Sequence, residues 1–158
     1  MIRLANRGDL NGIFRLICEM EQSELDYKSF EGIFYNQLES ACYSCWVWEE
    51  EGIVSGCLNL RMERQLHHTA KVAEIMELEV MSGCRSKGIG KQLFDYACLE
   101  AKREGCVQVE VCCNLLRERA HAFYQHQGMN RFHYKFSMPL NGNRHSENKL
   151  GVKYQKPG

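Results

Sequence analysis

The chain has 158 residues, of which 44% are apolar and 25% charged, the composition of an ordinary folded domain. Its 20 basic and 20 acidic residues give a formal net charge of zero, which argues against nucleic acid or a membrane surface as partner. No uncharged apolar run reaches the ~18 residues of a membrane-spanning helix, and the start, MIRLANRGDL, lacks the apolar core of an export signal. We therefore expect one cytoplasmic domain without nucleic-acid or membrane partners.

Apolar periodicity predicts the elements in chain order. The first half contains a strand, a helix capped by Asp9, a second helix and a hairpin of two strands, at Ile2–Ala5, Asp9–Met20, Tyr27–Leu38, Tyr43–Glu49 and Ile53–Met62. The second half contains a strand, a helix, a strand, a helix and a last strand, at Val72–Met81, Gly90–Glu104, Val107–Cys113, Glu118–Gln127 and Arg131–Met138. This order predicts a single α/β domain at residues 1–140 with part of its sheet parallel, followed by a polar tail at residues 141–158.

Nine cysteines are scattered along the chain, several among apolar neighbours. This pattern favours reduced thiols in a cytosolic protein, with some of the cysteines serving as small core residues. Cys42-Tyr-Ser-Cys45 has the spacing of half a zinc site, but no second half follows at zinc-finger spacing, so we predict no structural metal there.

The strand at Val72–Met81 carries three acidic residues, Glu74, Glu77 and Glu79. Side chains alternate between the two faces of a regular strand, and the spacing of these glutamates is uneven. We therefore expect that they do not all lie on one face.

The segment that follows, MSGCRSKGIGKQLF, leads from this strand into a helix. A helix N-terminus presents unpaired backbone N–H groups and a partial positive charge, which favour an anion such as phosphate. Gly88 and Gly90 allow the backbone to come close to a ligand, and Arg85, Lys87 and Lys91 add positive charge. The segment therefore predicts a diphosphate-binding loop, with a basic, well-capped turn as the alternative.

Two common phosphate-loop patterns do not fit this segment. The P-loop needs Lys-Ser or Lys-Thr where the chain has Ile89-Gly90, and the dinucleotide pattern needs a glycine at the position of Leu93. The pattern that fits is R-x-x-G-x-G, from Arg85 to Gly90.

This pattern, placed after an acidic strand, resembles the coenzyme A loop of the GNAT superfamily of N-acetyltransferases. Arg117–Met129, RERAHAFYQHQGM, is similar to a later motif of the same family. The resemblance covers residues 1–140 and implies a mostly antiparallel sheet with a parallel pair at the coenzyme A site, flanked by helices. It also implies acetyl-CoA as donor and a small-molecule amine as acceptor. Ser82 and Ser86 stand where many members have proline and glycine. Ser86 keeps its backbone N–H, but it does not suit a backbone conformation that demands glycine.

By this resemblance the cofactor contacts the end of the acidic strand, the loop, the start of the next helix and two later residues. The expected cofactor-binding residues are Leu78, Glu79, Val80, Arg85, Ser86, Lys87, Gly88, Ile89, Gly90, Lys91, Asn114 and Tyr124.

Acetyl transfer to an amine requires a base, because an alkylammonium group has a pKa of about 10. Glu74 stands where several family members carry their catalytic glutamate, and it is the candidate base, with Glu77 and Glu79 as competitors. Tyr124 occupies the position of the family's tyrosine and is the candidate acid for the departing thiolate. The backbone N–H of Val80 is the candidate donor to the oxyanion.

Two further segments, QLHHTAKVAEIMELEVM and LICEMEQSELDYKSF, resemble the bacterial aminoalkylphosphonate N-acetyltransferases. That subfamily acetylates small primary amines carrying a phosphonate and is associated with a divalent metal. The resemblance implies that His67 or His68 contacts a phosphonate or its metal, and that Tyr27 lies where the substrate enters. Adjacent histidines in an extended segment point to opposite sides, so a polar pair in a loop is the alternative.

Three functional alternatives stay open at this point. A non-catalytic acyl-CoA-binding regulatory module would use the same fold, and a polyamine or a protein amine would use the same chemistry. GNAT proteins are often homodimers, so a homodimer is a further expectation from the resemblance.

Overall fold

A computed structural model of the chain describes residues 1–140. The five strands are Ile2–Leu4 (β1), Tyr43–Glu50 (β2), Ile53–Gln65 (β3), Ala70–Val80 (β4) and Cys106–Val111 (β5). The four α-helices are Leu10–Glu21 (α1), Tyr27–Leu38 (α2), Ile89–Arg103 (α3) and Glu118–His126 (α4). All of them lie in the first of two units, Met1–Gly128 and Met129–Gly158. None of the helices in the described part is long and apolar enough to cross a membrane.

The strands form one mixed sheet in the order β1-β2-β3-β4-β5. The first four strands pair antiparallel, and β4 pairs parallel with β5. The turn between β2 and β3 places Glu51 and Gly52 at φ 51° and 77°, the conformation of a tight two-residue hairpin. The predicted fold, a mostly antiparallel α/β sheet with one parallel pair and flanking helices, is confirmed.

Helices cover both faces of this sheet. On one face, Gly12 of α1 lies so close to Val54 that an added Cβ would be 2.9 Å from the valine Cβ. On the other face, a Cβ added at Gly56 would be 3.1 Å from Cδ1 of Leu93 on α3. The α1 and α2 side holds one buried apolar cluster, which includes Leu16, and α3 buries its own apolar stripe against the strands on the opposite face.

The pairing of β3 with β4 contains one irregularity. Asn59 lies opposite Glu77 and Leu60 lies opposite Ile75, so Met76 is an extra residue in β4. Such a β-bulge shifts the alternation of side chains by one position after the inserted residue.

The bulge brings the three glutamates of β4 to the same face of the sheet. Directly opposed residues of two antiparallel strands share a face, and the partners of these glutamates on β3 are alternate residues. The pairs are Glu74–Arg61, Glu77–Asn59 and Glu79–Cys57. The prediction that uneven spacing keeps the glutamates on different faces is therefore wrong, because the inserted residue compensates for the spacing.

The predicted cap of the first helix is only partly correct. Asp9 precedes α1, but its side chain makes no capping hydrogen bond to that helix. Instead its carboxylate accepts hydrogen bonds from the guanidinium of Arg3, at 2.7 and 2.8 Å, and from the backbone N–H of Asn6 at 2.8 Å. A bidentate ion pair at this buried position takes the oxygens that would otherwise cap the helix.

The predicted last strand, Arg131–Met138, is wrong, because residues 129–140 contain no strand. Its alternating apolar residues are exposed, at 78% for Phe132, 85% for Tyr134 and 91% for Phe136. Alternation is a local property, whereas a strand requires a backbone partner. The predicted tail, residues 141–158, lies outside the described residues, and the domain boundary at residue 140 stays a prediction.

The nine cysteines are free thiols. Cys45 and Cys57 belong to the core under α1, where burial raises the pKa of the Cys45 thiol to about 12. Cys42 is exposed whereas Cys45 is buried, so this pair does not present two thiolates to one ion.

Candidate active site at the end of the fourth strand

A gap opens between β4 and β5 beyond their last paired residues, Ile75 and Val111. β5 ends at Val111, but β4 continues to Val80. The backbone groups of β4 that face this gap therefore have no partner strand on that side among the described residues. They are available to a ligand that lies between the two strands.

The direction of the free amides follows from the other edge of β4. The N–H of Met81 donates to the carbonyl of Ser55 at 2.9 Å, toward β3. Because successive amides of a strand point to opposite sides, the N–H groups of Val80 and Leu78 point into the gap. Of the three predicted cofactor contacts at the strand end, Leu78 and Val80 therefore present their N–H groups to the gap, whereas the N–H of Glu79 points toward β3.

The loop after β4 presents a series of free amides. The first backbone bond of α3 runs from the N–H of Gln92 to the carbonyl of Gly88 at 3.1 Å, and no side chain caps the helix. Within the described part of the chain, no acceptor is found for the N–H groups of residues 86–91. Gly88 and Ser86 have φ angles of 80° and 63°. The loop can therefore surround an anion, although the left-handed conformation of Ser86 costs about 1 kcal/mol.

The basic side chains of the loop differ in their contacts. Arg85 turns back to the strand, donating to the carbonyl of Val80 at 2.9 Å and pairing with Glu79 at 2.6 Å. Lys91 pairs with Asp95 at 2.6 Å. Lys87 is exposed and has no ionic partner among residues 1–140. Of the predicted cations, Lys87 is thus the one that is available without breaking an ion pair.

The three glutamates have distinct partners. Glu74 pairs with Arg61 at 2.5 Å, and Glu79 pairs with Arg85. Glu77 has no cationic partner in the described residues and instead accepts a hydrogen bond from Nδ2 of Asn59 at 2.8 Å. Burial raises the pKa of the Glu77 carboxyl, and this effect exceeds the opposing effect of the hydrogen bond from Asn59.

Glu77 faces a cavity of about 230 Å³ between α1, α2 and the sheet. The cavity is lined by Ile13, Ile17, Leu25, Phe30, Ile33, Phe34, Gln37, Cys45, Cys57, Asn59 and Glu77. Nδ2 of Asn59 donates to Oε1 of Gln37 at 2.9 Å as well as to Glu77. The sequence-based reasoning missed Asn59 and Gln37, although a polar Asn59 within the apolar run GCLNL was a signal.

Tyr124 lies at the side of the gap. Its ring is 6.3 Å from that of Phe94 on α3, and its phenol is close enough to Glu79 and Cys113 for electrostatic interaction. Burial raises the pKa of Tyr124, so the phenol keeps its proton at neutral pH. Its hydroxyl makes no hydrogen bond with the described residues, which leaves it free to donate to a ligand.

His67 and His68 lie at the other end of β4, in the turn that joins it to β3. A strand rises about 3.3 Å per residue, so the two ends of β4 are about 30 Å apart. The turn brings the two imidazole rings within 4.3 Å of each other, and Nε2 of His68 is 3.5 Å from Glu110. Glu110 pairs with Glu74 and stands one residue before Val111, so the ring of His68 reaches toward the near edge of the gap. Neither histidine lines the cavity at Glu77.

The other two predicted contacts, Tyr27 and Asn114, use their polar atoms within the protein. The hydroxyl of Tyr27 donates to Oδ1 of Asn11 at 2.7 Å. Oδ1 of Asn114 accepts from the N–H of Leu116 at 3.0 Å and thereby stabilises the turn after β5. Neither residue lines the cavity at Glu77.

The described residues do not fit a divalent metal. Over residues 1–140 there is no group of three His, Cys, Asp or Glu side chains placed to hold an ion. The chemistry of the site is therefore derived from Glu77, Tyr124 and the backbone alone.

Comparison with known proteins agrees with this geometry. Residues 10–129 match the model of the acetyltransferase (GNAT) family. The chain is 34% identical over 139 residues to the aminoalkylphosphonate N-acetyltransferase of Salmonella typhimurium, covering 88% of this chain and 90% of that protein.

Solved structures show the same fold. A transcriptional regulator from Bacillus halodurans C-125 superimposes with a TM-score of 0.82 at 22% identity, covering 89% of this chain and 99% of that one. AAC(6')-Iy in complex with the bisubstrate analogue CoA-S-monomethyl-acetylneamine superimposes with a TM-score of 0.78 at 14% identity, covering 88% and 96%. From the family model and the curated relative, the chain belongs to the GNAT family of N-acetyltransferases, whose acetyl donor is acetyl-CoA.

Proposed function

We propose that the protein transfers the acetyl group of acetyl-CoA to the primary amine of a small molecule by direct attack. The observation that supports this most strongly is the gap at the Val80 end of β4, where free strand amides and a free loop meet beside Tyr124. Glu77 lies three residues before Val80 on the same strand. The diphosphate of the cofactor would lie on the amides of residues 86–91, beside Lys87. The pantetheine arm would pair with the N–H groups of Leu78 and Val80.

Glu77 is the base in this proposal, in place of Glu74. The carboxylate of Glu74 is held by Arg61 at 2.5 Å, whereas Glu77 faces the cavity and has a raised pKa. A raised pKa makes a carboxylate a stronger base, provided that it is ionised at the working pH. Glu77 accepts a proton from the ammonium group, and the neutral amine nitrogen then attacks the thioester carbon.

Val80 and Tyr124 complete the reaction. The N–H of Val80 stabilises the oxyanion that forms when the carbon–nitrogen bond is made. When the carbon–sulfur bond breaks, its electrons leave with the sulfur, and the phenol of Tyr124 donates a proton to the thiolate. The surplus proton on the acetylated nitrogen then passes to the phenolate, which restores Tyr124, and Glu77 releases its proton to water. Burial that keeps this phenol protonated suits it to the role of acid.

The class of acceptor is the next part of the proposal. The name of the Salmonella relative makes aminoalkylphosphonates the first class to test, and a polyamine or a protein amine are the alternatives. A cytoplasmic location is supported by the nine free thiols. A homodimer remains an expectation from the family.

The test is release of free coenzyme A thiol from acetyl-CoA in the presence of 2-aminoethylphosphonate, spermidine or a lysine peptide, each with and without Mg²⁺. We expect at least one amine to accelerate thiol release in proportion to enzyme concentration, together with formation of the N-acetyl product. Tight binding of acetyl-CoA with no amine-stimulated release would instead support the non-catalytic acyl-CoA-binding module.

A further inference from the structure

The walls of the Glu77 cavity are apolar apart from one polar group of three side chains. Residues from α1 and α2, among them Leu25, Phe30 and Ile33, form most of the lining. Glu77 and Asn59 lie on the sheet side. The lining contains no Lys, Arg or His.

Asn59 leaves one buried acceptor without a partner. Its side chain is 8% exposed, and its Oδ1 accepts no hydrogen bond from the described residues. The orientation of its amide is set by Glu77, because a carboxylate can only accept the Nδ2–H that Asn59 donates. A ligand that carries several N–H donors would satisfy Oδ1 of Asn59 and the carboxylate of Glu77 together.

Two arginines that pair with carboxylates on β4 and α1 are already engaged. Arg61 is held by Glu74 at 2.5 Å, and Arg117 is held by Glu21 at 2.7 Å. A phosphonate in the cavity would therefore be an anion in an apolar space next to the Glu77 carboxylate, without a cation to offset its desolvation. An amine with an uncharged tail has no such cost and gains from contact with the apolar wall.

We infer that the cavity between α1, α2 and the sheet is the acceptor site, and that it selects a primary amine with an uncharged apolar tail. The ammonium group lies against Glu77 and Oδ1 of Asn59, and the tail contacts Phe30 and Ile33. This inference rests on the proposed acetyl transfer and narrows its acceptor to a class that differs from the name of the Salmonella relative.

The test compares two acceptors of similar length, 3-methylbutylamine and 2-aminoethylphosphonate, by thiol release with saturating acetyl-CoA. We expect kcat/KM for 3-methylbutylamine to be at least about tenfold higher, the discrimination typical of a mismatched group in an apolar pocket. Equal or better use of the phosphonate would overturn the inference and leave acetyl transfer standing. If neither these amines nor the panel above release thiol, the proposed function itself fails.

A charge introduced at the cavity wall provides a second test. Ile33 lines the cavity and is 58% exposed, so Ile33→Arg adds a cation there without removing a core side chain. The preference is the ratio of kcat/KM for 3-methylbutylamine to kcat/KM for 2-aminoethylphosphonate. We expect this variant to lower that ratio at least about fivefold. The matched control is Ile53→Arg, because Ile53 is 56% exposed and lies outside this lining.

The control should keep the wild-type preference within about twofold, since the added charge is remote and screened. An equal change of preference in both variants, or no change with Ile33→Arg, would show that acceptors do not enter through this cavity. Binding without the donor provides an independent readout. In the absence of acetyl-CoA, 3-methylbutylamine should raise the Tm of the wild-type protein more than 2-aminoethylphosphonate does at the same concentration.

Discussion

Both ends of β4 carry chemistry-bearing side chains, and the two ends differ in strand pairing and in the partners of those side chains. At the Val80 end the strand leaves its neighbour, its amides are free, and Glu77 is half-buried with no cationic partner among residues 1–140. At the Ala70 end the strand is paired on both sides, and His67 and His68 lie in an open turn. Reactive residue types at one end thus coincide with a gap, and those at the other do not.

The comparison shows that chemistry in this fold depends on where strand pairing stops. A gap gives a ligand access to backbone donors, which a fully paired strand has already used. The bulge at Met76 adds to this effect, because it turns Glu77 to the face covered by α1 and α2. The predictions below test this difference between the two ends, beginning with the largest expected effect.

Removing the base at the Val80 end should have the largest effect. We expect Glu77→Gln to lower kcat about 10²–10³-fold at pH 7, because the amine must then lose its proton without an enzymic base. The matched control is Glu74→Gln, which removes an ion-paired carboxylate from the same face and should cost less than about tenfold. A larger loss with Glu74→Gln would return the role of base to that residue.

Removing the phenol beside the gap should have the next largest effect. We expect Tyr124→Phe to lower kcat about 10²-fold while the Kd of acetyl-CoA changes less than about threefold, because an acid acts mainly in the transition state. Stopped-flow thiol release and isothermal titration measure the two quantities. Unchanged turnover would remove Tyr124 from the mechanism.

A methyl group at the mouth of the gap should weaken cofactor binding. The Cβ of Gly90→Ala would lie 3.7 Å from Val80 and Phe123, which are ordinary contacts, so the fold should be kept. We expect the Kd of coenzyme A to rise about tenfold, because the methyl occupies space next to the free amides. Wild-type affinity in a folded variant would place the cofactor elsewhere.

Replacing Glu77, which should lower activity, should raise the stability of the fold. Burial raises the pKa of Glu77 above its unfolded value, so the folded protein loses stability as the pH rises through the folded pKa and this carboxyl ionises. Glu77→Gln should therefore raise the Tm at pH 7–8 by a few degrees, about 2–4 °C per kcal/mol for a chain of this size. The gain should disappear as the pH falls to the unfolded value of about 4.3. A gain that persists there would have another cause.

The Ala70 end should give the smallest effect. We expect His67→Ala and His68→Ala each to leave kcat/KM within about twofold, because neither side chain lines the cavity at Glu77. Steady-state thiol release with and without Mg²⁺ measures this. A large loss in either variant would mean that the two ends act on one substrate.

Local signals in the sequence predicted much of the fold and the cofactor loop. α2 has the predicted bounds, Tyr27–Leu38, because its apolar residues recur at helical spacing. The glycine loop could be proposed from the sequence as well, since an anion site there would be built from consecutive residues, Arg85 to Gly90. The alternating apolar residues of Arg131–Met138 predicted a strand that the structure does not contain, because a strand needs a pairing partner elsewhere in the chain.

The acceptor side of the site could not be predicted in the same way. The face on which Glu77 lies is set by one extra residue in the pairing of β4 with β3, which no local pattern reveals. The environment of Glu77 depends on Asn59 from β3 and Gln37 from α2, which the fold brings together from distant positions. The choice among three glutamates therefore required the sheet register.

The most direct measurement is hydrogen exchange of the backbone amides with and without coenzyme A. Binding at the Val80 end predicts strong protection of the N–H groups of residues 86–91 and of Val80, and no change in the turn at residues 66–69. Tight binding of coenzyme A that leaves the exchange of residues 86–91 unchanged would contradict the account.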